Sequence, residues 1–175
     1  MPPEPRGRCD LRERDAAVAR PERPALEDRG PVEAVARIAC DVIESNRYMV
    51  LATADADGVP WASPVWFATE DERVFYWISD PNARHSRNIA VRPEIAIVIF
   101  DSTVTPGEAQ AVYMEARAEQ CGTEGFDVFT RESEAQGIWI TPLEDVVAPG
   151  PYRLYRAVTG ERTMLGPGDK RIPLA

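Results

Sequence analysis

The chain has 175 residues, 44% of them hydrophobic, and carries a formal charge of -9 at pH 7. That length suits one domain with a single well-buried core. The acidic balance argues against a nucleic-acid partner, since binding a phosphate backbone needs a basic face.

No run of about 18 apolar residues exists to span a bilayer, and the opening MPPEPRGRCDLRERD lacks the apolar stretch of a secretory signal. The expected location is the cytoplasm. Cys9, Cys40 and Cys121 have no short spacing and there is 1 His, which argues against a disulfide framework and against a metal site. Lys170 is the lone lysine among 20 basic residues, so candidates for Schiff-base chemistry are scarce.

Residues 1–30 hold seven arginines and seven acids, many prolines and few large apolar side chains. Such a segment cannot bury enough surface to order itself, and a loosely attached arm is expected, with residues 31–175 as the folded domain. Gly30-Pro31 reads as a helix start, followed by Val32, Val35, Ala36, Ile38, Ala39, Val42 and Ile43 at helical spacing. After Ser45-Asn46-Arg47, the pattern of residues 48–54 changes to a strand.

Asp57-Gly58 marks a hairpin between residues 48–54 and residues 59–68. Pro60 and Pro64 lack a ladder donor, so the second strand should be paired on one side only. A turn at residues 70–73 leads to the strand VFYWI at 74–78, and the three strands are expected to form a meander.

Ser79, Asp80, Pro81 and Asn82 are turn formers, and the expected helix of residues 83–91, with Asn82 as N-cap, stops before Pro93. Arg84, His85 and Arg87 then fall in its first turns, where free N–H groups and the positive end of the helix dipole favour an anion. Arg84 and His85, the Ser79 hydroxyl and these N–H groups compose a candidate phosphate site. The plainer alternative is a solvated helix face, the usual fate of surface arginines.

Residues 95–100 read as a buried strand and 101–108 as a loop. Residues 109–120 read as a long strand with Val112, Met114, Ala116 and Ala118 on one face. Residues 124–135 are expected to be helical, with Phe126, Val128 and Phe129 against the core and Gly137 as the stop. A Pro/Gly-rich loop runs to Pro151, followed by strands at 152–158 and 161–165 and a last piece at 171–174. The sum is mainly β: a six-to-seven-stranded antiparallel barrel, closed or split, with flanking helices.

The pieces LATADADGVPWASPVWF and VFYWISDPNARHSRNIAVRPEIAIVIFD, in this order of elements, resemble the pyridoxamine 5'-phosphate oxidase-like family of FMN-binding split barrels. The resemblance covers roughly residues 35–174. It implies an oxidoreductase with FMN at a homodimer interface and a small-molecule substrate, the phosphate held by Arg84 and His85 with Ser79 beside them. It places the flavin ring along Ser63, Val65, Trp66 and Phe67, with Trp77 flanking the pocket and Gln110 reaching across the interface. The substrate would stack among Trp61, Trp66 and Trp77.

Two features depart from the biosynthetic oxidase: Trp61-Ala62-Ser63 stands where it has a basic residue, and GDKRIPLA lacks its substrate-gripping Arg-x-His. Flavin binding therefore survives the comparison better than pyridoxamine phosphate oxidation. Related branches of the fold supply the alternatives: a deazaflavin reductase, disfavoured by the chain's acidity, or a flavin- or haem-binding carrier or sensor without catalysis. A hydrolase would need His85 as base, and no G-x-S-x-G elbow is present. No residue is singled out as catalytic.

Overall fold

A computed structural model describes residues 31–105 and 107–174. The expected arm at 1–30 lies outside the described residues. The order of elements is α1 (Pro31–Ser45), β1 (Tyr48–Ala54), β2 (Pro60–Trp66), β3 (Ala68–Glu70), β4 (Val74–Ser79), α2 (Arg84–Val91), β5 (Glu94–Phe100) and β6 (Ala111–Gln120). Then come α3 (Phe126–Ala135), α4 (Leu143–Val146), β7 (Arg153–Leu165) and β8 (Arg171–Pro173).

All strand pairs are antiparallel, in the order β2-β1-β5-β6-β7-β4-β3, with β8 added to β7. The first and last strands of this path, β2 and β3, are separated in the chain by Phe67 alone. The sheet therefore curls until its two ends meet, and one residue carries the chain across the gap. This is a split β-barrel. Phe67 is buried and packs on Phe75, ring centroids 5.5 Å apart, which seals the crossing with apolar surface.

The expected single strand over 59–68 is thus two strands, and the expected meander is broken: β4 pairs with β3 and β7, not with β2. Local alternation does not reveal such a change of partner. The two expected strands at 152–158 and 161–165 are instead one, because β7 runs on through Gly160 with a bulge opposite Met114 and Ala116. A bulge lets a strand bend without ending. The long strand begins at Ala111, two residues later than its pattern indicated, and its expected inner face of Val112, Met114, Ala116 and Ala118 is buried.

Alternate residues of the strands fill the barrel: Met49, Leu51, Phe75, Trp77, Ile95, Ile97, Ile99, Val112 and Met114 among them. Helix α1 closes over this core with Ala39, Val42 and Ile43, as its spacing predicts. Helix α3 packs Val128 and Phe129 into a second cluster with Tyr76 and Leu154. It starts next to Gly125, whose φ of 85° is left-handed and where a Cβ would lie 2.0 Å from the Tyr76 ring. It stops at Gly137, where Gly137 N–H bonds Glu134 O and Ile138 N–H bonds Ser133 O, each at 3.0 Å, a Schellman closure. The loop expected before Pro151 contains one short helix, α4, which begins after Pro142.

Candidate functional site

Pro60 and Pro64 decide how β2 meets its neighbour. They sit opposite Ala54 and Val50 of β1, and neither has an N–H to give. The bonded partners in this register are therefore Trp61, Ser63 and Val65, opposite Thr53, Leu51 and Met49. The backbone groups of Ala62 and Trp66 then point off the free edge. The expectation of one-sided pairing holds, and Pro60, Trp61, Ala62 and Pro64 are exposed there.

Helix α2 starts beside this edge. Its N-cap residue is Ala83, which supplies no side-chain bond, rather than the expected Asn82. The reason is Asp80: its Oδ1 takes the Asn82 N–H at 2.7 Å and its carbonyl takes the Ala83 N–H at 3.0 Å, so the turn is organised one step earlier. By helix geometry the N–H groups of Arg84, His85 and Ser86 have no acceptor within the helix. The side chain of Arg87 turns back to bond Asn82 O.

A buried clamp fixes α2 on the hairpin of β1 and β2. Asn88 Nδ2 donates to Thr53 Oγ1 at 3.0 Å, and Thr53 Oγ1 donates to Trp61 O at 3.2 Å. Ile89 enters the core next to it. At the C-terminal end, Arg92 Nη2 reaches Ala56 O at 3.2 Å.

With α2 so held, His85 bridges the barrel's two lips. Its Nε2 is 2.9 Å from Ser79 Oγ at the end of β4, and its Nδ1 is 3.3 Å from Ser63 Oγ on β2. Ser63 Oγ also accepts Trp61 Nε1–H at 2.9 Å. An assignment that satisfies every group has Ser63 O–H donating to Nδ1, and Nε2–H donating to Ser79. Burial lowers the pKa of His85 from its usual 6.5, so the ring is neutral at pH 7. The positive charge expected of the Arg84/His85 pair is thus carried by Arg84, with His85 as a neutral donor.

Arg84 lies with Cζ 4.5 Å above the Trp61 ring and Nη2 3.9 Å from Asp55 Oδ2. Ser63, Ser79, Arg84 and His85, four residues proposed from sequence, are therefore brought together. Val65 lines the inner side of the same strand, and Phe67 lies just beyond it in the core. Asp55 was not anticipated, because nothing in the turn ADADG distinguishes the acid that faces an arginine 29 residues on; Trp61 was anticipated only as a stacking surface.

The three tryptophans expected to wall one pocket do not share a surface. Trp61 is 41% exposed at the free edge, whereas Trp77 is fully buried inside the barrel, stacked on Tyr155 with centroids 5.6 Å apart. Trp66 turns to the other side, edge-on to Phe129 at 4.6 Å and bonded through Nε1 to Gln136 Oε1 at 3.1 Å. Strand alternation sends neighbours to opposite faces, which separates Trp61 from Trp66, and the inward register of β4 buries Trp77. Gln110 precedes β6 and lines a different cavity with Asp41, Ser45 and Asp101.

No group of acidic, histidine and cysteine side chains suited to a metal occurs among the described residues, and none of their helices is long and apolar enough to cross a membrane. Burial and the neighbouring Glu72 push the Cys40 thiol up to about 11, and burial does the same for Cys121, so neither is a ready nucleophile at neutral pH.

The profile described as pyridoxamine 5'-phosphate oxidase matches residues 39–158, which takes in the free edge, the hydroxyl–imidazole bridge and the α2 helix start. The chain belongs to the pyridoxamine 5'-phosphate oxidase family. Solved structures of similar fold include the heme storage protein HutZ of Vibrio cholerae, at 21% identity and a TM-score of 0.58 over 69% of this chain and 87% of that one. Campylobacter jejuni ChuZ aligns at 16% identity and a TM-score of 0.66 over 81% of this chain, which spans 59% of ChuZ. A FAD-binding protein of Mesorhizobium loti aligns at 19% identity and a TM-score of 0.56, over 74% of this chain and 92% of its own. No curated protein sequence matches the chain. At these identities the likeness is one of fold.

Proposed function

We propose that this chain is an FMN-dependent oxidoreductase acting on a small molecule, with the flavin phosphate at the start of α2 and the ring along the open edge of β2. The observation that carries this reading is the uncapped helix start, where Arg84, His85 and Ser79 converge beside unpaired strand backbone. The residues fit the group. Arg84 gives charge-assisted bonds, His85 a neutral ring bond, the first-turn N–H groups directed dipoles, and Ser79 a hydroxyl. Ala62 and Trp66 present backbone donors and acceptors to the polar edge of a ring. A bound flavin supplies the hydride transfer itself. The protein's part is to place it, desolvate it and leave one ring face open. A homodimer belongs to the proposal, the second copy covering the exposed β2 edge.

The haem reading that the fold invites is disfavoured by His85. As the chain's 1 histidine it is the natural axial ligand, yet both ring nitrogens face serine hydroxyls, at 2.9 and 3.3 Å, and ligation through either would first have to break its contact. A deazaflavin with an acidic tail would meet Asp55 and Asp80 around the same helix start.

Fluorescence titration of the full chain with FMN, riboflavin and haemin tests the proposal. A charge-assisted hydrogen bond contributes about 1.5–3 kcal/mol, so Arg84→Ala should weaken FMN binding by roughly 10- to 150-fold and leave riboflavin nearly unchanged. Equal loss for both flavins would mean that Arg84 does not meet a phosphate.

A further inference from the structure

Asp55 closes the hairpin turn between β1 and β2 and faces the same arginine. Its Oδ1 accepts the N–H groups of Asp57 at 3.1 Å and Val59 at 2.9 Å, which fixes the carboxylate and leaves Oδ2 directed at Arg84 Nη2, 3.9 Å away. That distance is beyond a hydrogen bond, so the attraction is Coulombic and leaves the guanidinium's donors available. The other arginines nearby are tied to carbonyls: Arg87 to Asn82 O, Arg92 to Ala56 O, and Arg153 to Gly150 O. Those carbonyl bonds leave the other guanidinium charges in place but occupy donors, whereas Arg84 faces a carboxylate, and the Arg84–Asp55 pair adds almost no net charge to the cradle. A carboxylate fixed against the arginine that would receive a phosphate competes with that phosphate for the guanidinium.

We infer that Asp55 is a specificity-determining residue, a resident counter-ion that limits the affinity of the α2 cradle for phosphate monoesters so that the bound ligand exchanges with solution. The inference rests on the proposal that Arg84 receives a phosphate. On ligand entry, Arg84 trades a loose contact with Asp55 for directed bonds to phosphate oxygens, while Asp55 stays in place, held by its turn, and opposes the incoming charge. A ligand without phosphate does not feel this opposition.

The test is Asp55→Asn, which keeps the Oδ1 acceptor for the turn and removes the charge. Exposed ion pairs contribute up to about 1 kcal/mol, so FMN should bind roughly fivefold tighter to Asp55→Asn while riboflavin binding is unchanged. The gain should shrink in an Arg84→Ala background, where only the direct repulsion between Asp55 and the phosphate is left to remove. FMN affinity that stays level or falls, a gain shared equally by riboflavin, or a gain undiminished without Arg84 would each overturn the inference. Wild-type protein that binds FMN no tighter than riboflavin would remove the phosphate proposal and this inference together.

Discussion

Thr53→Val asks whether the buried clamp beneath the site is what holds α2 in register. Valine keeps the β-branched shape and suits a strand, so the substitution removes a hydroxyl and little else. Thr53 is 4% exposed and its oxygen both accepts from Asn88 Nδ2 at 3.0 Å and donates to Trp61 O at 3.2 Å. Its loss leaves the Asn88 amide, itself 3% exposed, without that acceptor. A buried polar group so orphaned costs about 1–3 kcal/mol, and the second bond adds roughly 0.5–1.5 kcal/mol, so a total of about 1.5–4.5 kcal/mol is expected. For a domain of this size that is a fall in melting temperature of roughly 3–18 °C. Asn88→Ala should cost less, about 1–2 kcal/mol, because Thr53 keeps Trp61 as partner. Urea denaturation of the three proteins measures the difference. If Thr53→Val costs under about 0.5 kcal/mol, or less than Asn88→Ala, the clamp does not stabilise the helix as argued.

Two further outcomes follow from the same geometry. Gly125→Ala forces a Cβ to within 2.0 Å of the Tyr76 ring at a φ of 85°, so it should destabilise the fold by about 3 kcal/mol or more, read by the same denaturation assay. His85 has its pKa lowered by burial, so its share of stability is fully present above the unfolded value of 6.5 and is lost as pH falls through the lower folded value. The unfolded chain binds the proton more readily over that window, hence stability should decline on acidification below 6.5. His85→Gln should flatten that decline, and an unchanged slope would show that another group is responsible.

Much of the site was legible in the chain because its residues are close in sequence. Ser79, Arg84 and His85 lie within seven positions, and Pro93 sets where their helix must end. The prolines of β2 likewise announce a strand with one free side, since a missing N–H is a local property. Long-range partners were not legible. Asp55 meets Arg84 only because the Thr53–Asn88 clamp lays α2 against the hairpin, and Trp77 is lost to the site because β4 turns it into the barrel, while Trp61 and Trp66 part by alternation along β2.

By itself the sequence determined the kind and rough place of most elements, the apolar stripe of α1, the inner face of β6 and the grouping of Ser79, Arg84 and His85 around the start of α2. Those follow from periodicity, from glycine and proline stereochemistry, and from which side chains carry charge. Tertiary structure alone decided that Phe67 carries the chain across the barrel's split, that β7 is unbroken through Gly160, and that His85 is a neutral bridge between two serines. Each depends on which strand lies beside which, and on how much water reaches a ring once they are packed. Burial and pairing belong to the assembled barrel, and no short stretch of the chain contains them.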